Sequence, residues 1–184
     1  AAMQAGRQVF DGEPSRLAFA LKEVGDSRAI GPLVELMRKG GIPKEDMARS
    51  VVTVSALGRS SDLDAMLELA TRSPGLLPSL AKGAAENSLS PSRPESVASF
   101  LKDEQAPARS AAARLCGIWK VSSAREALLG LARSGSPGPE EASSLCAALG
   151  ELGASAELEK LSGIGHSPVL RAAALSARAK TDLS

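Results

Sequence analysis

Aromatic residues are scarce in this 184-residue chain, which contains no Tyr, one Trp and three Phe. Because hydrophobic residues still make up 43% of the chain, Ala and Leu must fill most of the interior. Small alanine side chains let helices approach each other closely, so this composition favours stacked helices. The scarcity of aromatic rings also argues against single-stranded nucleic-acid binding, which relies on stacking platforms.

Excess charge and long apolar runs are missing as well. Lys and Arg total 22 while Asp and Glu total 21, so the chain lacks the basic footprint of a nucleic-acid-binding domain. No apolar run approaches the roughly 18 residues that a membrane-spanning helix needs. We therefore expect no nucleic-acid partner and no membrane insertion. The first residues lack the apolar stretch of a signal peptide, but this lack does not determine the cellular compartment.

Side chains that carry chemistry are few. The single histidine, His166, precedes a predicted helix, and we interpret it as an exposed turn residue rather than a general base or metal ligand. Cys116 and Cys146 lie in apolar helical patterns typical of small buried residues. They occupy different positions in adjacent repeats, so a disulfide between them is possible but is not indicated by their spacing. One histidine and two separated cysteines do not make a zinc site. We expect no catalytic residue, cofactor or metal.

Apolar residues recur with a period just above thirty. Leu33, Met66, Val97, Leu128 and Leu161 occupy the same point of five similar segments, at successive spacings of 33, 31, 31 and 33 residues. Each segment has apolar residues at helical spacing on both sides of a turn, which predicts an A helix followed by a B helix. Such a period is typical of a helical solenoid.

The predicted fold is therefore all-α, a right-handed α-α superhelix of about five helix pairs plus a terminal helix. Residues 1–13 are predicted to form an N-terminal extension, and the repeats to cover about 14–40, 43–73, 75–104, 106–135, 138–165 and 167–184. The predicted helices are 14–24, 28–39, 44–57, 62–72, 75–87, 94–103, 107–120, 124–133, 139–152, 156–162 and 168–180. Trp119 falls at a core position of the fourth A helix, which favours packing over a binding hot spot.

Residues 16–39, RLAFALKEVGDSRAIGPLVELMRK, resemble a bacterial HEAT repeat, with a Gly-Asp-x-Arg-Ala turn between two apolar helices. Glu151-Leu-Gly-Ala-Ser-Ala156 repeats this turn in degenerate form. The resemblance covers most of residues 14–184 and implies a HEAT-like α-solenoid whose B helices line a concave surface. Because HEAT arrays serve many partners, it implies a fold rather than one function.

A second resemblance concerns the setting of the repeats. Arg16–Leu21 followed by Asp46–Ser55 is similar to the HEAT segment of certain large secreted bacterial proteins, which lies between a dehydrogenase-like β-propeller and a c-type haem domain. Gly6-Arg-Gln-Val-Phe10 resembles the opening of such a haem domain, but no Cys-x-x-Cys-His motif follows. This resemblance implies a spacer in a periplasmic or cell-envelope protein, and a cytoplasmic location is expected otherwise.

The function predicted from these features is a non-enzymatic protein-interaction scaffold or spacer. Its partner would be a protein or peptide, or the flanking domains of the same polypeptide. The candidate partner-binding residues lie on the outward side of the B helices and are Glu35, Arg38, Asp64, Glu68, Arg125 and Lys160. These charges fit equally well a solvated face held by pairs within each helix.

Two enzymatic alternatives come from HEAT-like proteins of similar repeat length, which act as bilin lyases or isomerases, or as DNA glycosylases. A lyase needs a deep groove with acidic or aromatic contacts, and a glycosylase needs a basic concave surface bearing aromatic side chains. The near-zero net charge and the few aromatic residues argue against both.

Overall fold

The computed structural model describes residues 27–134 and 136–181, and within those ranges it contains helices, turns and loops but no strand. The predicted all-α fold is confirmed for this part of the chain. The predicted extension 1–13, helix 14–24 and the haem-like segment 6–10 lie outside the described residues. The chain divides into two compact units, Ala1–Arg93 and Pro94–Ser184.

The described part of the first unit is built from α-helices joined by short turns. They are α1 (Ile30–Arg38), α2 (Lys44–Leu57), α3 (Ser60–Arg72) and α4 (Leu77–Ala84). Short 3₁₀ turns at Ser27–Ala29 and Pro74–Leu76 lead into α1 and α4. Helix α2 packs along α4, while α1 contacts both α2 and α3. The apolar stripes of these helices thereby meet in one core.

The second unit begins with a 3₁₀ helix, Pro94–Lys102, and continues with five α-helices within its described residues. They are α5 (Ala106–Ile118), α6 (Arg125–Ser134), α7 (Pro139–Glu151), α8 (Ser155–Leu161) and α9 (Pro168–Thr181). Helix α7 packs against both α5 and α9, and α8 contacts both α7 and α9. Helices α2, α4, α5, α7 and α9 are the predicted A helices, and α1, α3, the 3₁₀ helix, α6 and α8 are the predicted B helices.

The predicted helix bounds agree closely with the structure. The largest difference is at the end of α4, which was predicted at residue 87 and lies at 84. The segment predicted as an ordinary B helix over 94–103 is instead a 3₁₀ helix, Pro94–Lys102. Val97 and Phe100 are both buried, and three residues per turn place them on the same side of such a helix.

The repeated core positions are confirmed. Leu33, Met66, Val97, Leu128 and Leu161 are each no more than 1% exposed, and every one lies on a B helix. Each of the five segments predicted as repeats therefore contributes one fully buried apolar side chain at the predicted spacing. Trp119 is also buried, as predicted, and its indole Nε1 has no hydrogen-bond partner among the described residues.

Helix α6 differs from the predicted orientation. The helical spacing of Ala124, Ala127, Leu128 and Leu131 predicts that these four residues face inward, but Ala127 is exposed and Leu129 is buried in its place. Leu128 keeps its inward position, so the helix is rotated about its axis relative to the prediction. Burying leucine removes more apolar surface from water than burying alanine, and this favours the observed orientation.

Cys116 and Cys146 are free thiols, both fully buried. Desolvation by burial raises the pKa of Cys116 to about 12 and that of Cys146 to about 11. Because only the thiolate is a good nucleophile, both side chains are unreactive at neutral pH while the chain is folded.

We therefore expect 5,5′-dithiobis(2-nitrobenzoate) to modify neither thiol rapidly in native buffer at pH 8, and to modify both after unfolding in urea. The reaction is followed by absorbance, with free cysteine as the rate standard. Rapid modification of both thiols in the native protein, at the rate of free cysteine, would contradict their burial.

Candidate functional site

Exposed charged residues of α1 and α3 form a cluster in the first unit. Arg38 contacts Glu35 on its own helix at 3.5 Å and Glu68 on α3 at 3.3 Å, and Glu68 contacts Arg72 at 3.4 Å. We call these four residues the α1–α3 charge cluster. Their side chains are between 45% and 73% exposed. Two predicted residues on different helices, Arg38 and Glu68, are thus brought into direct contact.

The α1–α3 charge cluster is electrically balanced, with two carboxylates and two guanidinium groups. Exposed ion pairs of this kind contribute about 0–1 kcal/mol each to stability, so exchanging one for a charged group of a partner costs the fold little. The sequence prediction missed Arg72, although it lies four residues after Glu68, where a helix brings opposite charges together.

Asp64, another of the predicted partner-binding residues, forms hydrogen bonds to a loop of the same unit. Its carboxylate accepts hydrogen bonds from the backbone N–H of Ser92 at 2.9 Å and from the Ser92 hydroxyl at 2.7 Å. These bonds tie the loop after α4 to helix α3. Both carboxylate oxygens of Asp64 therefore accept a hydrogen bond from within the first unit.

The second unit holds the other predicted residues, on α6 and α8. Nη2 of Arg125 donates to Oε2 of Glu157 at 2.7 Å. Lys160 is exposed and follows Glu157 by three residues on α8, so it lies on the same side of that helix. Arg125, Glu157 and Lys160 are thus close to one another, as expected for side chains projecting from adjacent B helices.

The hydrogen bond from Arg125, followed by one from the Glu157 backbone N–H, holds the pKa of Glu157 below its ordinary value of 4.5. We expect Arg125→Ala to return this pKa towards 4.5, as measured by carbon-13 NMR of the carboxyl group. A lowered folded-state pKa stabilises the fold at pH values above the unfolded pKa, and this contribution disappears as the pH falls through the folded pKa. An unchanged Glu157 titration in Arg125→Ala would contradict the pairing.

Several ion pairs join residues that are about one repeat apart. In each pair a cation precedes a carboxylate by 30 to 32 residues: Arg38–Glu68, Arg109–Glu141, Lys120–Glu151 and Arg125–Glu157. Arg109–Glu141 links successive A helices, Lys120–Glu151 links the turn after α5 to α7, and the other two pairs link successive B helices. A cation followed by a carboxylate about one period later is visible in the sequence. This spacing could have predicted the pairs, but it was not among the features from which the site was predicted.

The pair between Arg109 and Glu141 is the most buried of these. Arg109 Nε and Nη2 donate to the two carboxylate oxygens at 2.6 and 3.2 Å, and the side chains are 23% and 11% exposed. The hydrogen bond to Glu141 raises the pKa of Arg109. A buried, bidentate pair holds helices together and is costly to break. It is therefore a structural contact between α5 and α7, in contrast to the exposed α1–α3 charge cluster.

His166 lies in the loop between α8 and α9, half-buried, and its backbone N–H donates to the Gly163 carbonyl at 3.3 Å. Within residues 27–134 and 136–181, no three His, Cys, Asp or Glu side chains are grouped so as to hold a metal ion. None of the helices described is both long enough and apolar enough to cross a membrane.

Comparison with known proteins found no matching family, no similar curated protein and no similar solved structure.

Proposed function

We propose that this chain is a non-enzymatic interaction module, a HEAT-like right-handed α-solenoid that binds a protein or peptide through its B helices, or acts as a spacer between domains. The observation that supports this most is the combination of repeat-spaced core residues and repeat-spaced ion pairs. In the four ion pairs, residues about one predicted repeat apart contact each other, as neighbouring repeats of a solenoid do.

The α1–α3 charge cluster supports the choice of binding surface. Its four side chains are exposed, carry both signs of charge and are held by weak pairs. A polar partner with its own mixed charges can replace these pairs one for one. The buried Arg109–Glu141 pair belongs to the A helices and is committed to the fold, so the B helices are the better candidates.

A double charge reversal tests the proposal. Glu68→Lys with Arg125→Glu leaves the net charge unchanged and alters exposed or half-buried B-helix residues in both units. Partners captured by photo-crosslinking to the wild-type chain, and identified by mass spectrometry, are expected to bind this variant more weakly in a purified assay. The matched control is Glu45→Lys with Arg114→Glu, which changes exposed residues of A helices and should bind normally.

Normal binding by the B-helix variant would reject the proposed surface, and loss of binding by the A-helix control would point to the A helices instead. Binding is also expected to weaken moderately between about 0.1 and 0.5 M salt, because exposed charges are screened over about 10 Å or less in that range. The dependence should be shallower than that of a nucleic-acid binder, which releases many counterions. Turnover of any substrate that is lost in His166→Ala would overturn the non-enzymatic part of the proposal.

A further inference from the structure

Three A helices of the second unit can be aligned from their first residues, Ala106 of α5, Pro139 of α7 and Pro168 of α9. The fourth, eighth and twelfth residues then form one stripe along each helix, since residues four apart share a face. We call this the forward stripe. It consists of Arg109, Ala113 and Gly117 on α5, Ala142, Cys146 and Gly150 on α7, and Arg171, Leu175 and Ala179 on α9.

The forward stripe of α5 is covered by α7. At its start, Arg109 forms the bidentate pair with Glu141, the third residue of α7. At its end, a Cβ placed on Gly117 would lie 2.9 Å from Cα of Ala148, the tenth residue of α7. The N-terminal parts of α5 and α7 contact each other, and so do their C-terminal parts, so the two helices run parallel.

The forward stripe of α7 is covered by α9 in the same way. Ala142 and Cys146 are fully buried. A Cβ placed on Gly150 would lie 3.2 Å from Cγ2 of Thr181 and 3.8 Å from the carbonyl oxygen of Ala177, the tenth residue of α9. The interface between α5 and α7 is thus repeated between α7 and α9.

No element among the described residues covers the forward stripe of α9. Leu175 is 53% exposed, although its equivalent Cys146 is completely buried, and Ala179 is exposed. Arg171 occupies the position of Arg109. Its Nε is shielded from solvent but has no hydrogen-bond partner among the described residues, whereas Nε of Arg109 donates to Glu141 at 2.6 Å. A shielded guanidinium N–H without an acceptor is uncommon and marks a place where an acceptor fits.

We propose that the forward stripe of α9 binds an acidic amphipathic α-helix of a partner, in parallel orientation, with a carboxylate on Arg171 and a small residue over Ala179. The surface is distinct from the B-helix surface, and the two proposals stand or fall separately.

Two features of α9 select this occupant. The first is the packing already seen twice in this unit, where α7 covers the forward stripe of α5 and α9 covers that of α7. In both cases the covering element is a parallel helix with a small residue at its tenth position, Ala148 or Ala177. The charge of α9 adds the second requirement. Residues 168–181 contain three cations, Arg171, Arg178 and Lys180, and no Asp or Glu, so carboxylates on the incoming helix are the complementary groups.

Helix α7 supplies the sequence of a probe, because its side bearing Glu141 and Ala148 already packs on the forward stripe of α5. The probe is a fluorescent peptide of residues 139–151 with Cys146→Ala, stapled between the exposed positions 143 and 147 to hold the helix. Saturable binding to the whole 184-residue chain is expected in fluorescence anisotropy. Arg171→Gln should weaken it about tenfold or more, because the bidentate charged contact is lost, and Leu175→Asp should weaken it similarly. Lys180→Gln, off the stripe, should have little effect.

Charge reversal separates a direct contact from a general effect on the fold. The peptide bearing Glu141→Lys should fail to bind the wild-type chain but regain binding to Arg171→Glu. Absence of saturable binding, or equal affinity for wild type and Arg171→Gln, would overturn the proposal. Sedimentation of the chain as a dimer that dissociates in Leu175→Asp would also overturn it, since the occupant would then be a second copy of this chain.

Discussion

Leu128→Ala is expected to lower the free energy of unfolding by about 2–5 kcal/mol. Leu128 lies at the repeated core position of α6 and is fully buried. Truncation removes its transfer free energy and leaves a cavity that the surrounding helices fill only in part. Urea unfolding followed by circular dichroism gives the change in free energy directly.

Arg133→Ala on the same helix is the matched control. Arg133 is exposed, and exposed substitutions usually change stability by about 0.5 kcal/mol or less. Comparable losses in the two variants would show that the inside and outside of α6 are wrongly assigned.

Gly83→Ala is expected to destabilise the chain by about 2–3 kcal/mol, the upper part of the range for overpacking. Gly83 lies on α4, in close contact with α2. A Cβ there would lie 2.4 Å from the carbonyl oxygen of Val52 and 2.6 Å from Cβ of Ser55. Since one of these atoms belongs to the backbone, relief requires the two helices to move apart.

Gly130→Ala on α6 should have the opposite sign. Gly130 is exposed and a Cβ there would meet nothing within 4 Å, so alanine should stabilise the helix by roughly 0.5–1 kcal/mol. Thermal unfolding of the two variants beside the wild type measures both changes. Equal stability of Gly83→Ala and wild type would contradict the close approach of α2 and α4.

The helices and their buried faces were largely predictable because local patterning dictates them. Apolar residues at helical spacing specified α2 at its observed bounds, Lys44–Leu57. The rotation of α6 was not predictable in this way, since Ala127 and Leu129 both border its apolar face. The choice between them depends on which one neighbouring helices cover.

The charged contacts were less predictable, because they depend on how helices are aligned rather than on spacing within one helix. Arg38 and Glu68 were predicted as surface charges, but their pairing was missed because it shows only in the 30-residue spacing between the two helices and not within either helix. Asp64 looked equally available, and only the position of the loop carrying Ser92 commits it to the fold. Arg109 and Glu141 were missed because each lies on an A helix, and the predicted site residues were taken only from the B helices.

The most direct test of the repeat account is the set of distances between α5, α7 and α9 in the second unit. Arg114, Ala147 and Ser176 are the ninth residues of these helices, and all three are exposed. Spin labels at pairs of these sites, in a chain with Cys116→Ala and Cys146→Ala, report the distances by electron paramagnetic resonance. Parallel stacking in chain order predicts backbone separations of about 10 Å for 114–147 and 147–176 and about 20 Å for 114–176. An outer pair no farther apart than the neighbours, as in a closed three-helix bundle, would contradict the account.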